Sequence, residues 1–407
     1  MKYDFDNAKN RSRDNSIKWN AEAIKSITGV ADAEPFWVAD MDYECMDEIV
    51  KAAGKVAESK IYGYPAFGRI EEYARQWIER RHGWKVGEDK ISFASGLLHG
   101  IASGVRLFSK PGDRILVPCP CYKPFRKVTA NNDRKLVEYP LSYDSGMFSL
   151  DLERFLKEME SIDMVLFCSP HNPSGIVFSE SELASILKKA KELDITVISD
   201  EIHGDLVHPG KRHVPMGKVA EEVGAKCVTY MAPSKTFNIA GEHSAVAIFS
   251  QKWMKDAFDK EEEALFLTEP GHFVGELFIK AYEKGDEYNS ELTSYLKGNR
   301  DAITSFLDEH LPEVKLSNAE ASFVAFLDMS AYYGKIKKVV EEKSDEFPPA
   351  PEGGVLSRFF GVRAKVAMND GTWFGKGYPS FLRFNYGTDR KRIIKALERI
   401  EKAIKAL

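Results

Sequence analysis

The sequence predicts an α/β protein built on a mainly parallel sheet, on three observations. Through the middle of the chain, short apolar β-rich runs alternate with amphipathic helical stretches, the pattern of βαβ units. The runs are apolar throughout rather than alternating, as strands covered on both faces require. Short polar motifs fall where these runs end, and an open parallel sheet binds its ligands outside the carboxyl ends of its strands.

Strands are expected at 115–117, 164–168, 196–198, 227–231 and 245–249. Between the second and third lies a helix. Ser179 and Glu182 form its capping box, and Leu183, Ile186, Leu187, Ala190 and Leu193 form one apolar face. The C-terminus is a further helix, with Asp389 near its start and Ile393, Leu397, Ile400 and Ile404 on one side. The composition changes after about residue 285, where a long helix is followed by the strand-like ASFVAFLDM. Residues 335–354, ending in FPPAPEGG, read as an exposed, mobile loop, because few apolar residues there offset the entropy of ordering it. The expected organisation is a large domain over 46–285, with an N-terminal arm (1–45) joining the C-terminal third (286–407) in a smaller α+β domain.

The 407 residues are 43% hydrophobic and 29% charged, an ordinary globular balance. A net charge of −5 argues against a globally basic nucleic-acid binder and against a coat for anionic membranes. The longest apolar stretches are about five residues, where a membrane span needs roughly 18. The start, MKYDFDNAKNRSRD, has no apolar signal-peptide core, so a soluble cytoplasmic protein is expected. Five scattered cysteines make no disulfide framework, and the Cys119/Cys121 CxC has no histidine at ligand spacing, so no metal site is expected.

The motifs are SPHNPSG (169–175), SDEIH (199–203), APSKTFN (232–238) and FASGLLHG (93–100), the last leading into a helix from Leu97. An amide, a carboxylate and a lysine, each at the end of a different strand, converge on one pocket. That trio suits pyridoxal 5′-phosphate, which needs a lysine for its Schiff base and an acid beside its pyridinium nitrogen. Lys235 is the candidate lysine and Asp200 the candidate acid. Gly96, Leu97 and Leu98 would cup the phosphate at a helix N-terminus, while Asn172 and His203 would reach the ring oxygen O3′. Taken singly each residue has a plainer reading: a surface lysine, a helix cap, an Asn-Pro turn. Their order, strand context and the 35-residue Asp-to-Lys spacing agree together. No GxGxxG follows a strand and no GxxxxGK[ST] occurs, which removes a nicotinamide dehydrogenase and a phosphate-loop NTPase.

SPHNPSG, SDEIH and APSKTFNIAG together resemble the fold-type I pyridoxal-phosphate enzymes, the aspartate aminotransferase superfamily. NSIKWN (15–20), PFWVADMDY (35–43), IYGYPAFG (61–68) and NDGTWFG (369–375) resemble its cystathionine β-lyase / cysteine C–S lyase branch, of the MalY/PatB type. The resemblance implies a seven-stranded large domain between helices and a homodimer with active sites at the subunit interface. It implies that Lys235 holds the cofactor and moves protons, with Asp200 and Tyr122 beside it in catalysis. Tyr122 would stack on the ring, Ser234 would join the phosphate cup, and Tyr64 would reach the phosphate of the neighbouring subunit. Arg383 would clamp the substrate carboxylate, with Asn172 and Ala39 also on the substrate side. The implied reaction is α,β-elimination of L-cystathionine, L-cysteine or related S-substituted cysteines to pyruvate, ammonia and a thiol. An aminotransferase is the alternative, since the common motifs serve both, and a protein keeping fold and cofactor to act on a partner is a third reading. Two positions depart from the superfamily pattern: Ala232 stands where a serine is frequent and His243 where an arginine is, which shifts phosphate binding towards Ser234 and the backbone.

Overall fold

A computed structural model of the chain describes residues 2–66 and 69–407. Seven strands form the main sheet: β1 (Ile91–Ala94), β2 (Arg114–Cys119), β3 (Lys135–Pro140), β4 (Met164–Cys168), β5 (Thr196–Asp200), β6 (Cys227–Met231) and β7 (Ala245–Phe249). Their order is β1-β7-β6-β5-β4-β2-β3. Neighbours from β6 to β3 pair parallel, and β7 runs antiparallel to both β6 and β1. The α/β class and the mainly parallel seven-stranded sheet hold. Strands β4 to β7 are buried along their whole length, which is why they read as continuous apolar runs.

Two strands escape the sequence reading. β3 is a sheet edge in which only Tyr139 is buried, so it carries no apolar run, and β1 has just four residues. The end of β5 also moves: the sheet continues through Ser199 to Asp200, two residues beyond the expected 198. Asp200 is therefore the last residue of a central strand, in register with Cys168 of β4 and Tyr230 of β6.

Helix α1 (Leu97–Phe108) follows β1 and lies unusually close to the sheet. A side chain at Gly100 would sit 2.6 Å from the Tyr230 ring, and one at Gly104 would sit 2.7 Å from its hydroxyl. The Tyr230 hydroxyl donates to Gly100 O at 2.5 Å, pinning the helix at that spacing. Helix α2 (Glu180–Glu192) carries the expected capping box, and its Leu183, Ile186, Leu187 and Ala190 are buried.

After the 25-residue helix α3 (Asp286–His310), a second sheet forms from β8 (Lys315–Leu316), β9 (Val324–Asp328), β10 (Asn369–Asp370) and β11 (Phe381–Asn385). It is antiparallel, in the order β8-β9-β11-β10. The expected exposed loop over 335–354 is corrected. Its first part belongs to helix α4 (Ser330–Glu342), and Phe347 is fully buried. The backbone beyond is tied down: Arg358 donates to Phe347 O and Pro348 O, Glu352 N donates to Ser26 O, and the Glu352 carboxylate pairs with Lys123 at 2.6 Å. Sparse apolar composition misleads here because the anchors are one aromatic ring and a set of polar contacts. The C-terminal helix α5 (Arg390–Lys405) is capped by Asp389 and buries Ile393, Leu397, Ile400 and Ile404 as expected.

The N-terminal residues cross to the C-terminal third, where Glu34 and Pro35 pair parallel with Val366 and Ala367 in a separate two-stranded sheet. The strap that follows has no regular secondary structure and is held by a buried ion pair. Lys18 donates to the Asp42 carboxylate at 2.8 Å, with both side chains buried, and Trp19 Nε1 and Arg392 add bonds to the same carboxylate. Removing Asp42 leaves Lys18 buried without its counter-charge. Asp42→Ala is expected to lower stability by about 3–5 kcal/mol, read from guanidinium unfolding, and Lys18→Met in the same chain should recover most of that loss.

Candidate active site

A cavity of 270 Å³ opens at the carboxyl ends of β4, β5 and β6 and the first turn of α1. Each strand end contributes one group. Asn172 comes from the loop after β4, Asp200 from the last position of β5 with His203 three residues on, and Ser234 and Lys235 from the turn after β6. Gly96, Leu97 and Leu98 line it from the start of α1, Tyr122 from the residue before helix 123–131, and Ala39 from the strap. The fold thus gathers Ala39, Gly96, Leu97, Leu98, Tyr122, Asn172, Asp200, His203, Ser234 and Lys235 around one space.

Lys235 makes no ion pair with a described residue; its Nζ donates to Ala39 O at 2.6 Å. Burial holds its pKa below the ordinary value, against the pull of Asp40 and Asp200 and with the push of Arg383. A buried amine so placed loses its proton more readily than a surface lysine. Asp200 accepts only the N–H of Ile202, at 3.1 Å. Burial pushes its carboxyl up to about 7, a rise that Ile202 opposes, Glu201 increases and Lys235 reduces. A cation placed against it would reverse that rise. Burial lowers His203 to about 3, helped by the Lys235 and Arg383 charges, so this imidazole is neutral. Its Nδ1 lies 3.0 Å from the Ser322 hydroxyl; with that hydroxyl donating, the ring proton stays on Nε2.

Arg383 stands in β11, directly opposite Asn369 of β10. Its guanidinium is buried and touches no carboxylate among the described residues. It donates to Trp37 O at 2.9 Å, Asn369 Oδ1 at 2.8 Å and Asn172 Oδ1 at 3.3 Å. Its Nε and the amide nitrogen of Asn369 are buried without any acceptor. Burial lowers its pKa to about 10, still cationic at neutral pH. It lines a second cavity, of 360 Å³, whose walls include Ala39, Tyr122 and Lys235 of the first together with Trp37, Trp373 and Phe374. Buried cations are normally paired. One left with spare donors in a cavity wall is prepared for an anion, and a planar guanidinium suits a carboxylate.

Tyr64 is the one expected site residue that the single chain leaves outside; it is fully exposed and lines neither cavity. Of the IYGYPAFG stretch, Phe67 and Gly68 lie outside the described residues. Sequence reading gave no role to Trp37, Asn369, Trp373 and Phe374, although two quoted stretches contain them, nor to Ser322, His99 and Ser244. Among the described residues, no group of three or more His, Cys, Asp or Glu side chains is placed to hold a metal, and no helix is long and apolar enough to cross a membrane.

These residues fit pyridoxal phosphate: an unpaired amine, a buried acid without a cationic partner, open helix N–H groups and an anion-ready arginine surround one space. The family model for aminotransferase class I and II matches residues 35–400. The cystathionine beta-lyase PatB of Bacillus subtilis (strain 168) is 31% identical over 403 residues, covering 98% of this chain and 99% of that protein. The structure of a PLP-bound C–S lyase from Staphylococcus hominis superposes with a TM-score of 0.87 at 29% identity, covering 99% of this chain and 98% of that one. Cystalysin from Treponema denticola, in a structure containing pyridoxal 5′-phosphate, superposes with a TM-score of 0.88 at 27% identity over 100% of both chains. On this fold, this strand-end site and these full-length likenesses, the chain belongs to the aminotransferase class I and II family, in the branch of the PatB-like cystathionine β-lyases.

Proposed function

We propose that the chain is a pyridoxal 5′-phosphate-dependent carbon–sulfur β-lyase. It takes L-cystathionine, L-cysteine or a related S-substituted cysteine, with one water, to pyruvate, ammonia and a thiol. One observation carries this reading: a part-buried lysine without an ion pair to a described residue shares its surroundings with a buried acid and a buried arginine that has no carboxylate partner among the described residues. When bound, the cofactor supplies the electron sink that makes the substrate Cα–H acidic.

The protein's own groups do the rest. Asp200 would pair with the ring nitrogen and, ionised there, would keep that nitrogen protonated. Asn172 and His203 Nε2–H would donate to the ring oxygen, Tyr122 would stack on the ring, and Leu97 and Leu98 N–H with the Ser234 hydroxyl and Gly96 would hold the phosphate. Arg383 grips the substrate α-carboxylate, its spare Nε and the Asn369 amide being the donors in reserve, and the Ala39 carbonyl borders the same space. That grip turns Cα–H towards Lys235, whose neutral amine removes the proton. The Cα electrons then expel sulfur from Cβ, and the leaving thiolate takes up a proton. The aromatic walls of the second cavity, Trp37, Trp373 and Phe374, exclude water from the sulfur substituent. The same reading divides the chain into an arm (1–45), a cofactor domain (46–285) and a small domain (286–407), supported by the two separate sheets.

The working unit is a homodimer in the cytoplasm. Ile61, Tyr62, Tyr64 and Phe266 are apolar and exposed in the single chain, and Tyr62 packs on Phe273 at 6.0 Å. A second copy covering them accounts for that surface and brings its Tyr64 to the phosphate. Five unpaired cysteines suit a reducing compartment.

Three outcomes test this reading. Cofactor-loaded protein given L-cystathionine should form pyruvate and thiol in equal amounts without any oxo acid. Lys235→Ala should stop that while the fold persists by circular dichroism. Glutamate made only on adding 2-oxoglutarate, with no thiol, would instead indicate an aminotransferase. Sedimentation should give a dimer, and Tyr64→Phe should weaken cofactor affinity several-fold without dissociating it. Because the folded pKa of Asp200 lies above its ordinary 3.8, the cofactor-free protein binds that proton more tightly than the unfolded chain does. The contribution of Asp200 to stability should therefore fall as pH rises from about 4 to about 7, by up to about 4 kcal/mol. The buried His171, His203 and His208, whose pKa values burial lowers, act in the opposite sense. The difference in stability between the unmutated chain and Asp200→Asn across that range isolates the Asp200 part.

A further inference from the structure

The phosphate end of the cavity has a charge deficit. A phosphate monoester carries close to two negative charges at neutral pH, and the first turn of α1 offers only N–H groups and about half a positive charge. No arginine lines the 270 Å³ cavity; its basic side chains are Lys235, His99, His203 and His243. Lys235 and His203 belong to the ring end, and Nε2 of His99 is engaged by the buried Glu262 carboxylate at 2.8 Å. His243 remains.

The sheet delivers His243 to the first turn of α1. β7 pairs with β1 in a register that sets Ala245 opposite Ala94, so the residues just before β7, His243 and Ser244, run alongside Ser95 and Gly96. The approach is close: a side-chain carbon on Gly96 would lie 3.5 Å from the His243 β-carbon. His243 itself has φ +46°, a left-handed conformation that non-glycine residues rarely keep. It makes no hydrogen bond or ion pair with a described residue. Beside it the Ser244 hydroxyl, in a residue only 2% exposed, lines the same cavity with no hydrogen-bond partner. A buried hydroxyl without a partner is costly unless a ligand supplies one.

We propose that His243 and Ser244 bind the cofactor phosphate, the imidazole as an N–H donor and the hydroxyl as a second donor, beside the N–H groups of α1. This rests on the placement of the cofactor ring between Lys235 and Asp200. His243 supplies a ring N–H where an arginine is frequent, and Ser244 supplies the hydroxyl that Ala232 lacks, from a neighbouring loop rather than from the lysine turn.

The test compares the affinities of the full-length, cofactor-free chain for pyridoxal 5′-phosphate and for pyridoxal, which lacks the phosphate, by absorbance titration. His243→Asn keeps a residue tolerant of the left-handed backbone. It should weaken pyridoxal phosphate binding about 10- to 100-fold, the worth of a charge-assisted hydrogen bond, and leave pyridoxal binding unchanged. Ser244→Ala should act in the same sense and His243→Arg should restore affinity. An unchanged preference for the phosphate in both variants, or equal losses for the two aldehydes, would overturn the proposal. The unmutated chain is the control for the cofactor reading: if it showed no preference for the phosphorylated aldehyde, that reading would fail first, whatever the variants did.

Discussion

Residues 36–43 form a buried strap without secondary structure, and both basic groups Lys235 and Arg383 of the site hang on its carbonyl groups. Trp37 O accepts from Arg383, Val38 O and Asp40 O from Asn385, Ala39 O from Lys235, and Met41 O and Tyr43 O from Asn238. Buried backbone carbonyls outside helices and sheets must find partners, and here side chains of the turn after β6 and of β11 provide them. The Lys18–Asp42 pair anchors the strap at its far end, with Arg392 of α5 joining it. Lys235 and Arg383 are thereby referenced to one stretch of backbone, although they lie 148 positions apart in the chain. Loss of the anchor would disturb the spacing between cofactor and substrate carboxylate as well as stability.

The site holds charge in a form that only ligands complete. Arg383 is buried with unused donors, Asp200 is buried without a cation, and Lys235 rests on a carbonyl. Each arrangement is unfavourable in the empty chain and becomes favourable when its partner arrives: a carboxylate, a pyridinium, an aldehyde. This is electrostatic preorganisation, in which dipoles and charges are positioned before the reaction and need no rearrangement during it. The close packing of α1 on β6, made possible by Gly100 and Gly104 against Tyr230, holds the phosphate end to the same standard.

Much of the fold was legible because its causes are local. β4 to β7 are buried on both faces, so each is a contiguous apolar run, and the Ser179–Glu182 box marks the start of α2 in plain view. β3 was illegible because an edge strand with one buried residue has no apolar pattern, and its pairing with β2 decides its state. Residues 335–354 misled in the opposite sense, their order depending on Phe347 and on contacts to Ser26, Lys123 and Arg358 that lie far off in sequence. In the site, Lys235, Asp200 and Asn172 could be singled out because each falls at the end of a recognisable strand. Asn369 and Ser244 could not, because nothing local distinguishes a serine or asparagine that tertiary packing leaves with a partner to find, and Ser322 could not, because its partner His203 lies 119 positions away.

By itself the sequence determined the class of sheet, the residues at its carboxyl ends and the cofactor chemistry those residues suit, since strand burial and strand-end position are written in short apolar runs and their flanks. The tertiary structure alone decided that Arg383 lacks a carboxylate partner among the described residues, that the strap binds Lys235 and Arg383 together, and that the β1–β7 register brings His243 and Ser244 to the first turn of α1. Those facts are matters of pairing and of missing partners. Both are set by which distant segments meet in the folded chain, and no window of sequence contains them.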